Sequence, residues 1–120
     1  MIPNQRFEFR GCNIDALGWL QDDKGNRVRL DVADKTVASF QIVLASGTYA
    51  TAAITTYLGN DASAPHVAGT AITAPSGNPR VKHTGAIDVS GYSSIGLQVT
   101  TKEGSAATVD VFALVKETNS

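Results

Sequence analysis

The sequence predicts an all-β chain folded as a single β-sandwich, jelly-roll-like, with about eight short antiparallel strands. Three observations carry that expectation. Apolar residues recur at every second position, as in Ile95, Leu97 and Val99 with Gly96, Gln98 and Thr100 between them, which is the period of a half-buried strand and not of a helix. Clusters of Gly, Pro, Asn and Asp punctuate these stretches at short intervals. The remaining aliphatic content is spread among Ala, Thr, Ser and Gly, which suits short strands and close turns. At 120 residues the chain is expected to form one domain over 1–120, with a modest core that needs neither disulfide nor metal.

The elements follow in order. Residues 1–26 have the form of an extended N-terminal arm, in which Pro3 precedes the alternating Arg6-Phe-Glu-Phe-Arg10, so that Phe7 and Phe9 share one face and Arg6, Glu8 and Arg10 the other. Two readings of this arm stand side by side: it adds to the sheet edge of another chain, through main-chain hydrogen bonds, or it forms the first strand of its own sandwich. The segment from Asp15 to Asn26 has few strand formers, ends in a turn at Asp23-Lys-Gly-Asn26, and fits a loop or a short helical turn. Arg27 to Val32 is a strand with Val28, Leu30 and Val32 inward. The stretch from Thr36 to Asn60 carries no charge at all, so its strands, Phe40 to Leu44 and Tyr49 to Leu58, are expected to be the most buried, with Ser46-Gly47 turning between them. Neither face of the second is plainly polar, which suggests a core on one side and another subunit on the other. Gly59 to Pro65 is a loop, His66 to Thr73 a further strand, Pro75 to Pro79 a break, and Val81 to Val89 leads into a final hairpin. In that hairpin Ser94 to Thr101 reverses tightly at Lys102-Glu-Gly104, where Gly supplies a positive φ, and Thr108 to Glu117 returns. The tail Glu117 to Ser120 is polar and expected to fray.

Composition excludes several functions. A formal net charge of -1 gives no electrostatic footprint for nucleic acid or an anionic membrane. No stretch is long enough to span a bilayer, and the N-terminus has no apolar signal region. The lone Cys12 cannot close an internal disulfide, which points to a reducing cytosol and an inert core thiol. His66 and His83, even with Asp61 and Asp88, are too few and too scattered for a zinc site, and Asp22-Asp-Lys-Gly-Asn26 lacks the acidic spacing of a calcium loop. No nucleophile elbow, carboxylate pair or phosphate-binding glycine loop is present, so neither enzyme activity nor a cofactor is expected.

Binding then rests on aromatic and apolar side chains. Trp19 is placed to anchor a ligand or a neighbouring protein, and Tyr49 and Tyr57 share one face of their strand at a spacing too long for adjacent sugar rings. Tyr92 is expected to plug an end of the sandwich through its hydroxyl. In the last strand Phe112 and Leu114 alternate with Val111, Ala113 and Val115, leaving it apolar on both faces and in need of a second covering. Asp110, on the same side as Phe112, is expected to be a solvated side chain.

Ile87-Asp-Val-Ser-Gly-Tyr92, the run from Ile95 to Gly104, and Val109-Asp-Val-Phe-Ala-Leu114 resemble the C-terminal part of small β-sandwich structural proteins of tailed bacteriophages, the head decoration or cement proteins and related tail modules. Tyr57-Leu-Gly-Asn-Asp-Ala62 is similar to the turn that precedes it in such sequences, and Pro65-His66 stands where an aromatic is often found. The resemblance covers residues 50–116 and does not extend to the N-terminal third. It implies a protein made in the bacterial host cytoplasm and carried on the capsid surface of the virion, bound to the major capsid protein at capsomer junctions as a homotrimer. On that reading Arg6, Phe7, Phe9, Arg10 and Trp19 contact the partner, and Tyr49, Tyr57, Phe112 and Leu114 lie between subunits. A glycan- or host-receptor-binding module of a phage tail, using Trp19 and Tyr57, is the alternative; a small hydrolase dependent on His66 or His83 is a third reading.

Overall fold

The computed structural model describes residues 5–60, 67–75, 77 and 80–117, and over them the chain is an all-β sandwich. Its strands are β1 Gln5–Asn13, β2 Gly18–Trp19, β3 Arg29–Asp31, β4 Val37–Ser46, β5 Ala53–Gly59, β6 Val67–Ile72, β7 Val81–His83, β8 Ile87–Asp88, β9 Ser94–Thr101 and β10 Thr108–Lys116. They make two antiparallel sheets of five strands each. Sheet A runs β1-β10-β4-β7, with β8 also on β4; sheet B runs β2-β9-β5-β6, with β3 also on β9. β2 and β3 follow one another along β9, and β7 and β8 along β4. Each of those pairs is one interrupted strand, so the sheets have four strand positions each, in agreement with the strand number that the turn spacing suggests.

Alternation fixes which side of each strand is buried. Val109, Val111, Ala113 and Val115 of β10 and Ala38, Phe40 and Ile42 of β4 point into the sandwich, where they meet Ile95, Leu97 and Val99 of β9 and Ile54 of β5. Close packing of these inner faces is the main stabilising term. The same pattern explains why the chain does not make the final hairpin that the sequence suggests. The apolar faces of β9 and β10 can be buried against each other only if the two strands lie in opposite sheets, and there they lie, β9 between β2/β3 and β5, β10 between β1 and β4. Residues 102–107 therefore form an arch across the core, and Gly104 has no positive φ.

Of the two readings of the N-terminal segment, the structure shows the second, the first strand of the chain's own sandwich. Residues 5–13 pair with β10 of the same chain and form the edge of sheet A, with a register shift between Phe9 and Cys12. Asp15 to Asn26 is neither plain loop nor helical turn. Leu20 accepts from Val28 N–H at 2.7 Å, Gln21 bridges to Arg27, and the chain between them projects as a tab that interrupts β2/β3. Asp22 holds the tab together, its Oδ1 accepting from the N–H groups of Lys24 and Asn26 at 3.0 and 2.8 Å. The central strand also starts later than expected, at Ala53, because residues 50–52 are bound by the Glu103 side chain, described below. His66, Pro3 and the tail residues 118–120 lie outside the described residues.

Candidate interaction surfaces

The outer face of sheet A carries the first surface. Cross-strand partners share a face, so Phe112 lies between Glu8 of β1 and Gln41 of β4, and Leu114 between Arg6 and Ser39. Both apolar side chains are half-buried, and with His83 beyond Gln41 they line a shallow groove of about 470 Å³. Arg10 closes one end. Its guanidinium sits 4.8 Å above the Phe112 ring while donating to Glu8 at 2.9 Å and to Asp110 at 3.3 Å. Asp110 is thus no free solvated side chain; its second oxygen accepts from the Gly11 N–H at 3.0 Å and pins the β1 irregularity.

Two residues expected on this surface face the other way. Phe7 and Phe9 stand opposite Ala113 and Val111 on the inward side of β1. Phe9 is a core residue at 8% exposure and Phe7 packs partly against the core, so the β1 side chains on the outer face are Arg6, Glu8 and Arg10 without the phenylalanines.

The outer face of sheet B carries the second surface. Trp19 pairs with Gln98, and its ring lies over Gly96, where a Cβ would come within 2.5 Å of Cζ3. Arg27, from the tab, stands 5.8 Å from the centre of the Trp19 ring, and Tyr57 flanks Gly96 from β5. Only a glycine at 96 leaves room for a ring against the backbone. Tyr49, expected beside Tyr57, is instead fully buried and donates its hydroxyl to the Ile72 carbonyl at 2.9 Å. Burial, the larger effect, pushes that phenol up to about 12, so it is neutral and sealed in the core, which rules it out as a subunit contact in this fold. Tyr92 is half-buried beside the turn that follows Val89.

Elsewhere, an opening of about 500 Å³ separates the sheets at the side of β6 and β7, bounded by Thr56, Leu58 and Ile72 on one wall and Lys82, Thr84 and Ile87 on the other. Among the described residues no three His, Cys, Asp or Glu side chains converge as metal ligands. Cys12 is fully buried, and desolvation, reinforced by Asp22, Asp110 and Asp23, pushes its thiol up to about 12.

The residue that sequence reasoning missed is Glu103. Only 6% exposed, it turns one carboxylate oxygen onto the N–H groups of Ala50, Thr51 and Ala52 at 3.2, 3.0 and 2.8 Å. The bond from Ala52 chiefly, with those from Thr51 and Ala50, holds the carboxyl below its ordinary range against the opposing pull of desolvation. Its only sequence signal is a carboxylate in a loop, which is indistinguishable from a solvated one.

No family model matches the chain, and no curated protein matches it. Among solved structures it is similar to the SPBc2 prophage-derived protein YomS, at 13% identity over 94% of this chain and 92% of that one, with a TM-score of 0.53. It is also similar to VP2 of infectious bursal disease virus in its subviral particle, at 13% identity and a TM-score of 0.50, covering 95% of this chain and 33% of VP2. At such identity the likeness is one of fold. The chain corresponds to about a third of the length of VP2 and to nearly all of YomS.

Proposed function

We propose that this chain is a structural protein of a virus particle, and more narrowly a decoration protein of a tailed phage that binds the outer capsid surface and stabilises capsomer junctions without performing chemistry. The observation that carries the reading is the strand order. Four positions per sheet, β1-β10-β4-β7/β8 facing β2/β3-β9-β5-β6, is the arrangement of a double-sheet jelly roll, an architecture that recurs in viral capsid and lectin domains. The fold likeness to a prophage-derived protein and to a viral capsid protein supports the same reading. The groove around Phe112 and Leu114, with Arg6, Glu8 and Arg10 at its rim, is the proposed capsid-binding face: an apolar centre with a polar border is the layout that excludes water at a protein contact. Three copies gather at each junction, the capsid supplying the threefold symmetry.

Co-sedimentation of the purified chain with undecorated capsids tests this. Binding that saturates at a fixed copy number per capsomer junction supports it; no binding to capsids of the phage that encodes the chain overturns it. The second reading, a glycan-binding module, is favoured by one observation, the Trp19 and Tyr57 rings flanking Gly96. Retention on a glycan array that is lost with Trp19→Ala selects that reading instead.

A further inference from the structure

β1 is an edge strand: β10 pairs with one side, and among the described residues no strand covers the other. Such an edge is a row of unpaired backbone donors and acceptors, which proteins ordinarily blunt with bulges, charges or covering loops. The end of β1 past Phe9 is blunted in that way. The ladder is irregular there, Gly11 takes a φ of +66°, and the tab lies alongside, with the Asp23 N–H donating to the Arg10 carbonyl at 2.9 Å. What stays open is Gln5-Arg-Phe-Glu-Phe9.

The side chains of that stretch decide what it can pair with. Two copies related by a two-fold axis normal to the sheet run antiparallel, with paired residues on the same face. If the axis passes through Arg6, Arg6 opposes its own copy; if through Glu8, Glu8 opposes itself and Arg6 opposes Arg10. An axis at Phe9 requires the ladder to run through the irregular, tab-covered end. An axis at Phe7 sets Arg6 against the partner's Glu8 and Glu8 against the partner's Arg6, with the half-buried Phe7 rings meeting on the inner face. Arg6 is exposed and makes no ion pair among the described residues, while the Glu8 side chain is 60% exposed and bonded only to Arg10. The charges that would repel in the registers centred on Arg6 and Glu8 attract in this one.

We propose that the chain self-associates as a two-fold dimer by antiparallel β1–β1 addition centred on Phe7, joining two five-stranded sheets A into one continuous sheet. The occupant of the open edge is a second copy of this chain. The two grooves then lie side by side on one surface, so a dimer engages two capsid sites at once.

Light scattering after size exclusion, over rising concentration, reads the mass. The expected species is twice the 12.5 kDa chain. Glu8→Arg places like charges across the axis twice and is expected to raise the dimer dissociation constant about tenfold or more. Adding Arg6→Glu restores complementarity and is expected to restore the dimer, although Arg10 still lacks its Glu8 partner; this separates the two-fold contact from effects within one chain. Phe7→Cys is expected to cross-link under oxidation, since directly opposed residues in antiparallel strands are within disulfide reach and Cys12 is buried. A monomer at high concentration, a dimer or trimer indifferent to Glu8→Arg, or failure of the double exchange to restore association overturns the proposal.

Discussion

Two buried titratable groups shift in opposite directions because of what surrounds each. Cys12 has no charged partner to favour its thiolate, and three carboxylates nearby add to the desolvation that raises its pKa to about 12. The thiolate is the nucleophile that attacks a thiol reagent. The folded protein is therefore expected to leave Ellman's reagent unconsumed at pH 8, and to consume one equivalent once denatured; rapid native labelling would show that the core opens at Cys12. Glu103 is also buried but has backbone N–H groups aimed at it, and its pKa falls. A carboxyl with a lowered folded pKa adds stability above its unfolded value, about 4.3, and loses it as pH drops through the folded value. Melting temperature is expected to climb between about pH 3 and pH 5, and the climb is expected to be shallower in Glu103→Gln, with a residue contributed by Asp88, bonded by the Ser90 N–H, and Asp34, bonded by Lys35. An unchanged pH profile in that variant would mean the loop is held by something else.

At the level of strands, alternation was legible in the sequence and pairing was not. The inward sets of β9 and β10 are read directly from Ile95, Leu97, Val99 and Val109, Val111, Ala113, Val115, because a two-residue period has one physical meaning. Whether two successive strands are neighbours in one sheet or faces of two depends on what the connecting residues bind. Here the connection is tied down by a glutamate whose N–H partners are fifty residues away in the chain. For the same reason Tyr49 and Tyr57 look equivalent in sequence, since nothing local reveals that the chain at 50–52 is tied to Glu103 and that β5 begins only afterwards. Arg6 and Arg10 are exposed and Trp19 is half-buried on an outer face; the phenylalanines of β1 turn inward, because the alternation that groups them also sets them on the core side. Gly96 is another position whose role is invisible without its neighbour. Adding a methyl there is expected to cost about 1–3 kcal/mol by overpacking, measured by urea denaturation. Because Trp19 is the only tryptophan, its emission should shift to the red as the ring leaves the sheet.

For the whole molecule, the two surfaces lie on opposite sides of the sandwich, sheet A's groove on one and the Trp19 platform on the other. A particle protein can thus use one side against the capsid and expose the other. Paired substitution of Phe112 and Leu114 by Ala removes half-buried surface from an outer face without opening the core, so it is expected to abolish capsid co-sedimentation while shifting the urea midpoint little. Trp19→Ala is expected to leave capsid binding unchanged. The reverse pattern would turn the molecule over.

The place of β10 in sheet A has a consequence for how the protein is made. It is the last strand of the sandwich in sequence, and it lies between β1 and β4, which do not touch each other. A ribosome delivers those two strands first, with the seat between them vacant. Neither can close its ladder until the residues up to Lys116 have emerged. Sheet A therefore stays incomplete until synthesis has passed Lys116, and until then the nascent chain holds two long strands whose open edges invite any neighbour to take the missing place.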